Sequence, residues 1–159
     1  MNDKTMPVAD DSFLKRVMLV VDGSQAGDAA TQFAFRFARR LNCTLTAVYV
    51  IDTATMDYLL QMHIFVSDER DDMEMALEAK GHSYLDRAVR LGENYGVPVE
   101  TKIIRGAFHQ AILQQARHMD AEAVIIGGWK RASHDKDTFS TERELVMDLA
   151  NCPVIVVKG

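Results

Sequence analysis

Cysteine is nearly absent from this chain. Cys43 and Cys152 are the only two in 159 residues, too few for a disulfide scaffold and in keeping with a reducing compartment. Proline occurs three times, and no linker or shift in composition marks a second domain. No apolar run approaches the ~18–20 residues that span a bilayer. The opening Met1-Asn2-Asp3-Lys4-Thr5-Met6-Pro7 lacks the basic start and apolar core of a secretory signal. Excess positive charge is also missing. At a net charge of −5 the chain gains little from counterion release on DNA or RNA. These absences set the expectation of a cytoplasmic protein that binds neither nucleic acid nor membrane.

The residues that are present suit one globular domain. Hydrophobic residues make up 48% and charged residues 26% of the chain, which is ordinary globular usage and excludes wholesale disorder. Residues 1–14 are polar and acidic and are read as a flexible leader, with a single domain over 15–159. Val17-Met18-Leu19-Val20-Val21 is continuous rather than alternating, as in a strand covered on both faces. Asp22-Gly23-Ser24 breaks it. Ala29, Phe33, Phe37 and Leu41 then recur every four residues, with Ala30, Ala34 and Ala38 beside them, which predicts an amphipathic helix.

The same alternation continues. Strands are expected at 44–51, 99–104, 123–126 and 154–157, the 99–104 strand nearer an edge because it partly alternates. Helices are expected over about 67–95, around Phe108, Ile112 and Ala116, and over about 141–150. The segment 52–67 is the least regular, and packing filler under a loop is preferred there to a short helix or a lid. Strand and helix in strict turn require crossover connections, hence an α/β fold with a five-stranded parallel sheet and helices on both faces.

In such a sheet ligands bind beyond the carboxyl ends of the strands. Those ends carry Asp22-Gly23-Ser24, Val50-Ile51-Asp52, Gly106 and Gly127-Gly128. Neither G-x-G-x-x-G after the first strand nor G-x-x-x-x-G-K-[ST] anywhere is found, which disfavours a dehydrogenase or P-loop enzyme.

Lys15 through Ser24, the strand ending Val48-Tyr49-Val50-Ile51-Asp52, and Asn151-Cys152-Pro153-Val154-Ile155-Val156-Val157 resemble the universal stress protein family. The resemblance implies a Rossmann-like sheet, usually a homodimer, with some members binding ATP and others not. ATP-binding members carry G-x-x-G-x9-G-[ST] after the fourth strand. Gly127 matches its first glycine and Thr141 its terminal hydroxyl, while Lys130 and Ser140 stand where the other two glycines would be. Asp22 matches the acidic residue near ribose and phosphates, Val50 the position whose backbone addresses adenine, and Gly106 the glycine after the third strand. The nucleoside half of the site is therefore expected intact and the phosphate half altered.

Glycine-rich loops turn backbone N–H groups inward around phosphate, and Lys130 and Ser140 remove that freedom. Thr141-Glu142-Arg143-Glu144 also fits a capping box, which would use the same donors. Against this, Lys130, Arg131 and Lys136 could supply cations in place of the amides.

Other side chains keep ordinary readings beside functional ones. Asp22 is a ligand group or a helix cap. Trp129 is a loop anchor or a stacking surface. Cys43 and Cys152 are small buried hydrophobes. His63, His82, His109, His118 and His134 lack metal-ligand spacing, so no metal is expected. Val154, Ile155, Val156 and Val157 are apolar on both faces, which requires cover from helices or another chain, and the family resemblance points to dimer pairing there. The leading expectation is a non-catalytic dimeric stress-response module with no certain cofactor and an unknown protein partner. The alternative is an ATP or AMP sensor with at most slow hydrolysis.

Overall fold

The computed structural model describes residues 13–129 and 138–159. Among these described residues five strands and five helices follow one another as β1 (Arg16–Val20), α1 (Gln25–Leu41), β2 (Thr44–Asp52), α2 (Thr53–Gln61), α3 (Ser67–Tyr95), β3 (Val99–Gly106), α4 (Phe108–His118), β4 (Ala123–Gly127), α5 (Thr138–Leu149) and β5 (Val154–Val157). The strands form one parallel sheet in the order β3-β2-β1-β4-β5. The continuous apolar runs take the inner positions, and Val17, Met18, Leu19, Val124 and Ile125 are fully buried.

Alternate side chains along each strand feed two cores. On one face Val17, Leu19, Leu45, Ala47 and Ile125 pack against Ala30, Ala34, Phe35 and Ala38 of α1 and against Leu85 and Ala88 of α3. On the other, Met18, Val20, Val48, Val124 and Ile126 meet Phe108, Ile112 and Ala116 of α4 and Val146 of α5.

Helix α1 is rotated relative to the expected stripe. Phe33 and Leu41 are exposed, and the sheet is met by the alanine row with Phe35. Methyl side chains let the helix axis approach a close-packed sheet where a row of phenylalanines would hold it away. Segment 52–67 also differs from its reading. It forms α2, of which only Met56 is buried, while Tyr58, Met62 and Ile64 stay exposed. Asp52 nucleates this helix: its Oδ1 accepts from the Thr55 N–H at 3.0 Å and its Oδ2 from the Thr55 hydroxyl at 2.9 Å. The β5 run is not covered on both faces. Among the described residues it is an edge strand paired to β4 alone, with Val156 exposed and Val154, Ile155 and Val157 half-buried.

An ion-pair network ties α2, α3 and β3 together. Arg70 bonds Asp57 at 2.7 Å and Glu74 at 2.7 Å, and Glu74 also bonds Arg105 at 3.1 Å. Hydrogen bonds from Arg70 and then Arg105 hold the Glu74 carboxyl below the usual carboxylate range. Its native value is depressed, so its stabilisation is full above the unfolded value of about 4.3 and is lost as pH falls through the native value. Glu74→Gln is therefore expected to lower stability slightly at pH 7 and to match the parent once acid has protonated the parent's Glu74 in its folded and unfolded states. Urea melts at pH 7 and about pH 2.5 check this, and an equal deficit at both pH values would contradict it.

Candidate functional site

The winding direction reverses at β1, whose neighbours are β2 and β4. The chain leaves β1 and β4 toward opposite faces, and a crevice opens beyond their carboxyl ends. Asp22 follows β1 at that end of the sheet. Its Oδ1 accepts from the Ser24 N–H at 2.9 Å and the Ser24 hydroxyl at 2.6 Å. The Ser24 Oγ in turn accepts from the Gly27 N–H at 2.9 Å. Ser24 is thus the cap of α1 and Asp22 the group that orients it, a division of labour the Asp-Gly-Ser spacing left open. Gly23 lies between them at φ +76°, a left-handed conformation suited to glycine.

The other Asp22 oxygen, Oδ2, accepts from Nη2 of Arg143 at 3.2 Å. Arg143 projects from α5 and is 5% exposed. Its guanidinium carbon lies 3.2 Å from the Phe139 ring centroid and 4.2 Å from that of Phe108. The cation lies over both aromatic rings, and its Nη1 also donates to the Phe139 carbonyl at 3.3 Å.

One residue earlier, Glu142 crosses to α4. Its Oε2 accepts from the His109 N–H at 2.9 Å and contacts His109 Nδ1 at 2.6 Å. Ala107 precedes α4 without a side-chain cap, so Glu142 supplies from another helix the acceptor that first turn needs. Beside these groups lies an open space of about 260 Å³ lined by Asp52, Phe108, Phe139, Glu142 and Arg143. A larger cleft of about 470 Å³ opens on the far side of Phe139 toward Ser24, Ala26, Gly128, Trp129 and Lys158.

An acidic residue thus follows the central strand of a five-stranded parallel sheet at its switch point. The family model described as the universal stress protein family matches residues 14–158. The chain belongs to the universal stress protein family.

A universal stress protein of Methanocaldococcus jannaschii is 22% identical over 148 residues, covering 93% of this chain and 84% of that protein. Among solved structures, a universal stress protein family member from Burkholderia pseudomallei has a TM-score of 0.73 at 20% identity and covers 92% of this chain and 97% of its own. A member from Arabidopsis thaliana with AMP bound has a TM-score of 0.64 at 21% identity, covering 91% of each chain. These structural likenesses establish the shared fold.

Within this universal stress protein the expected site residues fall in three places. Asp22, Gly106, Gly127 and Val50 all lie toward the carboxyl edge of the sheet. Gly106 ends β3 at φ +135°, and half-buried Val50 pairs with Ile104. Gly127 ends β4 against the backbone of Ala26 and Gly27 in α1. Ser140 and Thr141 lie inside the first turns of α5 rather than in a loop, Ser140 being buried. Lys130, with Arg131 and Lys136, lies outside the described residues.

The capping box is overturned. Helix α5 already runs from Thr138, and Glu142 and Arg143 are committed to His109 and Asp22. Thr141 is therefore inside the helix and not at its cap. Phe108, Phe139 and Arg143 are the residues that motif reading missed. The available signal was the Phe139–Arg143 spacing of four, which stacks an aromatic and a cation on one helical face. Cys43 is buried and Cys152 half-buried, and burial pushes both thiols up, away from nucleophilic behaviour.

Proposed function

We propose that this chain is a non-catalytic, dimeric stress-response module of the cytoplasm whose switch-point crevice takes AMP or adenosine and discriminates against ATP. The observation that carries the reading is the buried Arg143–Asp22 pair, set where ATP-binding relatives are expected to present a glycine-rich cradle. A triphosphate needs several inward backbone N–H groups, and here Ser140 and Thr141 are in a helix whose next residue, Glu142, carries a carboxylate to the crevice wall. A base and ribose need less: an aromatic wall, an acceptor and a backbone edge, which Phe108, Asp22 and Val50 would supply. That an Arabidopsis relative was solved with AMP favours the same ligand class.

The polar groups of the crevice are paired with one another: Asp22 with Arg143 and Ser24, Glu142 with His109, Asp52 with Thr55. Such pairing suits binding rather than turnover, since a general base must be placed to take a substrate's proton. The half-covered edge of β5, with Val154, Ile155, Val156 and Val157, supports pairing with a second copy. No helix among the described residues is long and apolar enough to cross a membrane.

Isothermal titration with AMP, adenosine and ATP in the presence of Mg²⁺, together with light scattering at micromolar protein, tests this reading. AMP is expected to bind at least tenfold more tightly than ATP, with no release of phosphate, and the scattering mass is expected to be that of two chains. ATP binding as tight as AMP, steady hydrolysis, or a monomeric mass would each remove the corresponding part.

A further inference from the structure

Beyond the carboxyl end of β2 the chain runs through a stretch that the core hardly uses. Met56 is the buried residue of α2, and no residue over 67–80 of α3 is buried, the helix reaching the core only from Gly81 onward. Apolar side chains are nevertheless concentrated there. Tyr58, Met62, Ile64 and Val66 fall within nine consecutive residues, and each is more than half exposed, as is Met75. Exposed apolar groups set this densely mark an interaction surface.

Charge distinguishes what the surface would face. Segment 53–80 holds seven acidic and two basic residues, so its net charge of −5 equals that of the whole chain. Asp71 and Asp72 lie four and three residues before Met75, so acid and methionine share one face of α3. Asp68, seven residues before Met75, continues that face. All three aspartates are exposed. Arg70 is committed to Asp57 and Glu74 at 2.7 Å and reaches Asp71 only at 3.8 Å. The same ion pairs fix α2 against α3, and Arg105 ties in β3, so the surface is held in place before anything binds.

We propose that this α2–α3 surface docks a cationic amphipathic helix of another protein. The partner's apolar stripe meets Tyr58, Met62, Ile64, Val66 and Met75, and its lysines or arginines meet Asp68, Asp71 and Asp72. Val66 and Met75 are about 14 Å apart along α3 at 1.5 Å per residue, within the length of a four-turn helix. Methionine is unbranched and polarizable and adapts to stripes of differing shape, as grooves that receive amphipathic helices require. Like charges oppose a second copy of this surface, and lipid phosphates meet the same repulsion. The inference does not depend on what the crevice binds.

The test is fluorescence anisotropy of a labelled leucine–lysine amphipathic helical peptide titrated with the full chain at low ionic strength. A leucine–glutamate peptide of the same pattern, and a leucine–lysine peptide scrambled to abolish its apolar stripe, are the comparison probes. The parent is expected to bind the lysine peptide at least tenfold more tightly than either. Asp68→Asn with Asp71→Asn and Asp72→Asn is expected to weaken that binding at least tenfold. Met62→Ser with Ile64→Ser and Met75→Ser is expected to do the same. Asp86→Asn with Glu93→Gln and Glu100→Gln removes three exposed carboxylates elsewhere and is expected to change it less than threefold. All the substituted residues are exposed, and a urea transition with the parent's slope verifies that each variant folds.

Equal weakening by the two carboxylate triples would mean that net charge alone attracts the peptide. A serine variant that binds like the parent would mean that the apolar side chains take no part. Either result overturns the proposal, as does a failure of the lysine peptide to bind or to be preferred. Loss of a dimer mass in light scattering of the serine variant would assign the surface to a second copy instead. Flotation of the parent, but not the serine variant, with phosphatidylcholine vesicles would assign it to a membrane. Both of these outcomes also overturn the proposal.

Discussion

Gly127→Ala is expected to cost about 3 kcal/mol of folding stability, at the upper end of what overpacking a close-packed interface usually costs. A Cβ at this position would stand 2.6 Å from the carbonyl carbon of Ala26 and 2.7 Å from the Gly27 nitrogen. Both are backbone atoms in the first turn of α1, and neither can rotate away. The helix would have to withdraw from β4 and take with it the Ser24 cap and the Asp22 carboxylate behind it. Gly128→Ala is the control. Its nearest neighbour would be the Val157 carbonyl oxygen at 3.3 Å, a contact eased by a small shift at the sheet edge, so its cost is expected to be about 1 kcal/mol or less. Urea denaturation separates the two through the transition midpoint at constant slope. A deficit below about 1 kcal/mol for Gly127→Ala would show that α1 has room to recede.

Asp22→Ala is expected to destabilise by about 3 kcal/mol, because it removes one member of a buried ion pair. The alanine also removes both acceptor contacts to Ser24, adding about 1 kcal/mol through a loosened helix start. The size of the effect depends on Arg143 being 5% exposed, since a surface pair would contribute little. Arg143→Met in the Asp22→Ala background keeps an apolar chain beside Phe108 and Phe139 and removes the buried charge. It should restore a large part of the loss, giving a coupling energy of about 2 kcal/mol in the double-mutant cycle. Additive losses would mean that the two side chains contribute independently.

The architecture was legible because its signals are collective. Val17 to Val21 and Ala123 to Ile126 are apolar over their whole length, and such runs are stable only when covered on both faces. The partial alternation of 99–104 correctly marks β3 as an edge. Phase is harder to read than period. In α1 two stripes of period four lie side by side, and hydrophobicity alone prefers the phenylalanines where packing distance selects the alanines. Helix α2 was hidden because its apolar residues do not form one stripe, and its start depends on two bonds from Asp52 to Thr55. The crevice was half legible. Asp22, Gly106 and Gly127 are marked by their places at strand ends, whereas Arg143 acquires its role only when α5 is laid across the sheet. Thr141 and Glu144 match a capping pattern, but α5 already runs from Thr138.

The two borders of the sheet are chemically unlike. Along β3 the outward residues include Glu100, Lys102 and Arg105, all exposed, and charged side chains on a border strand deter a further strand from adding there. Along β5 the border is valine and isoleucine throughout. A sheet with two apolar borders could grow copy upon copy into a ribbon, whereas this one offers a single adhesive side. Two chains that join through β5 about a twofold axis bury that side against itself and present only the charged β3 border outward. Unlike borders of this kind would act as a chain terminator in such a pair: association along this direction would stop at two.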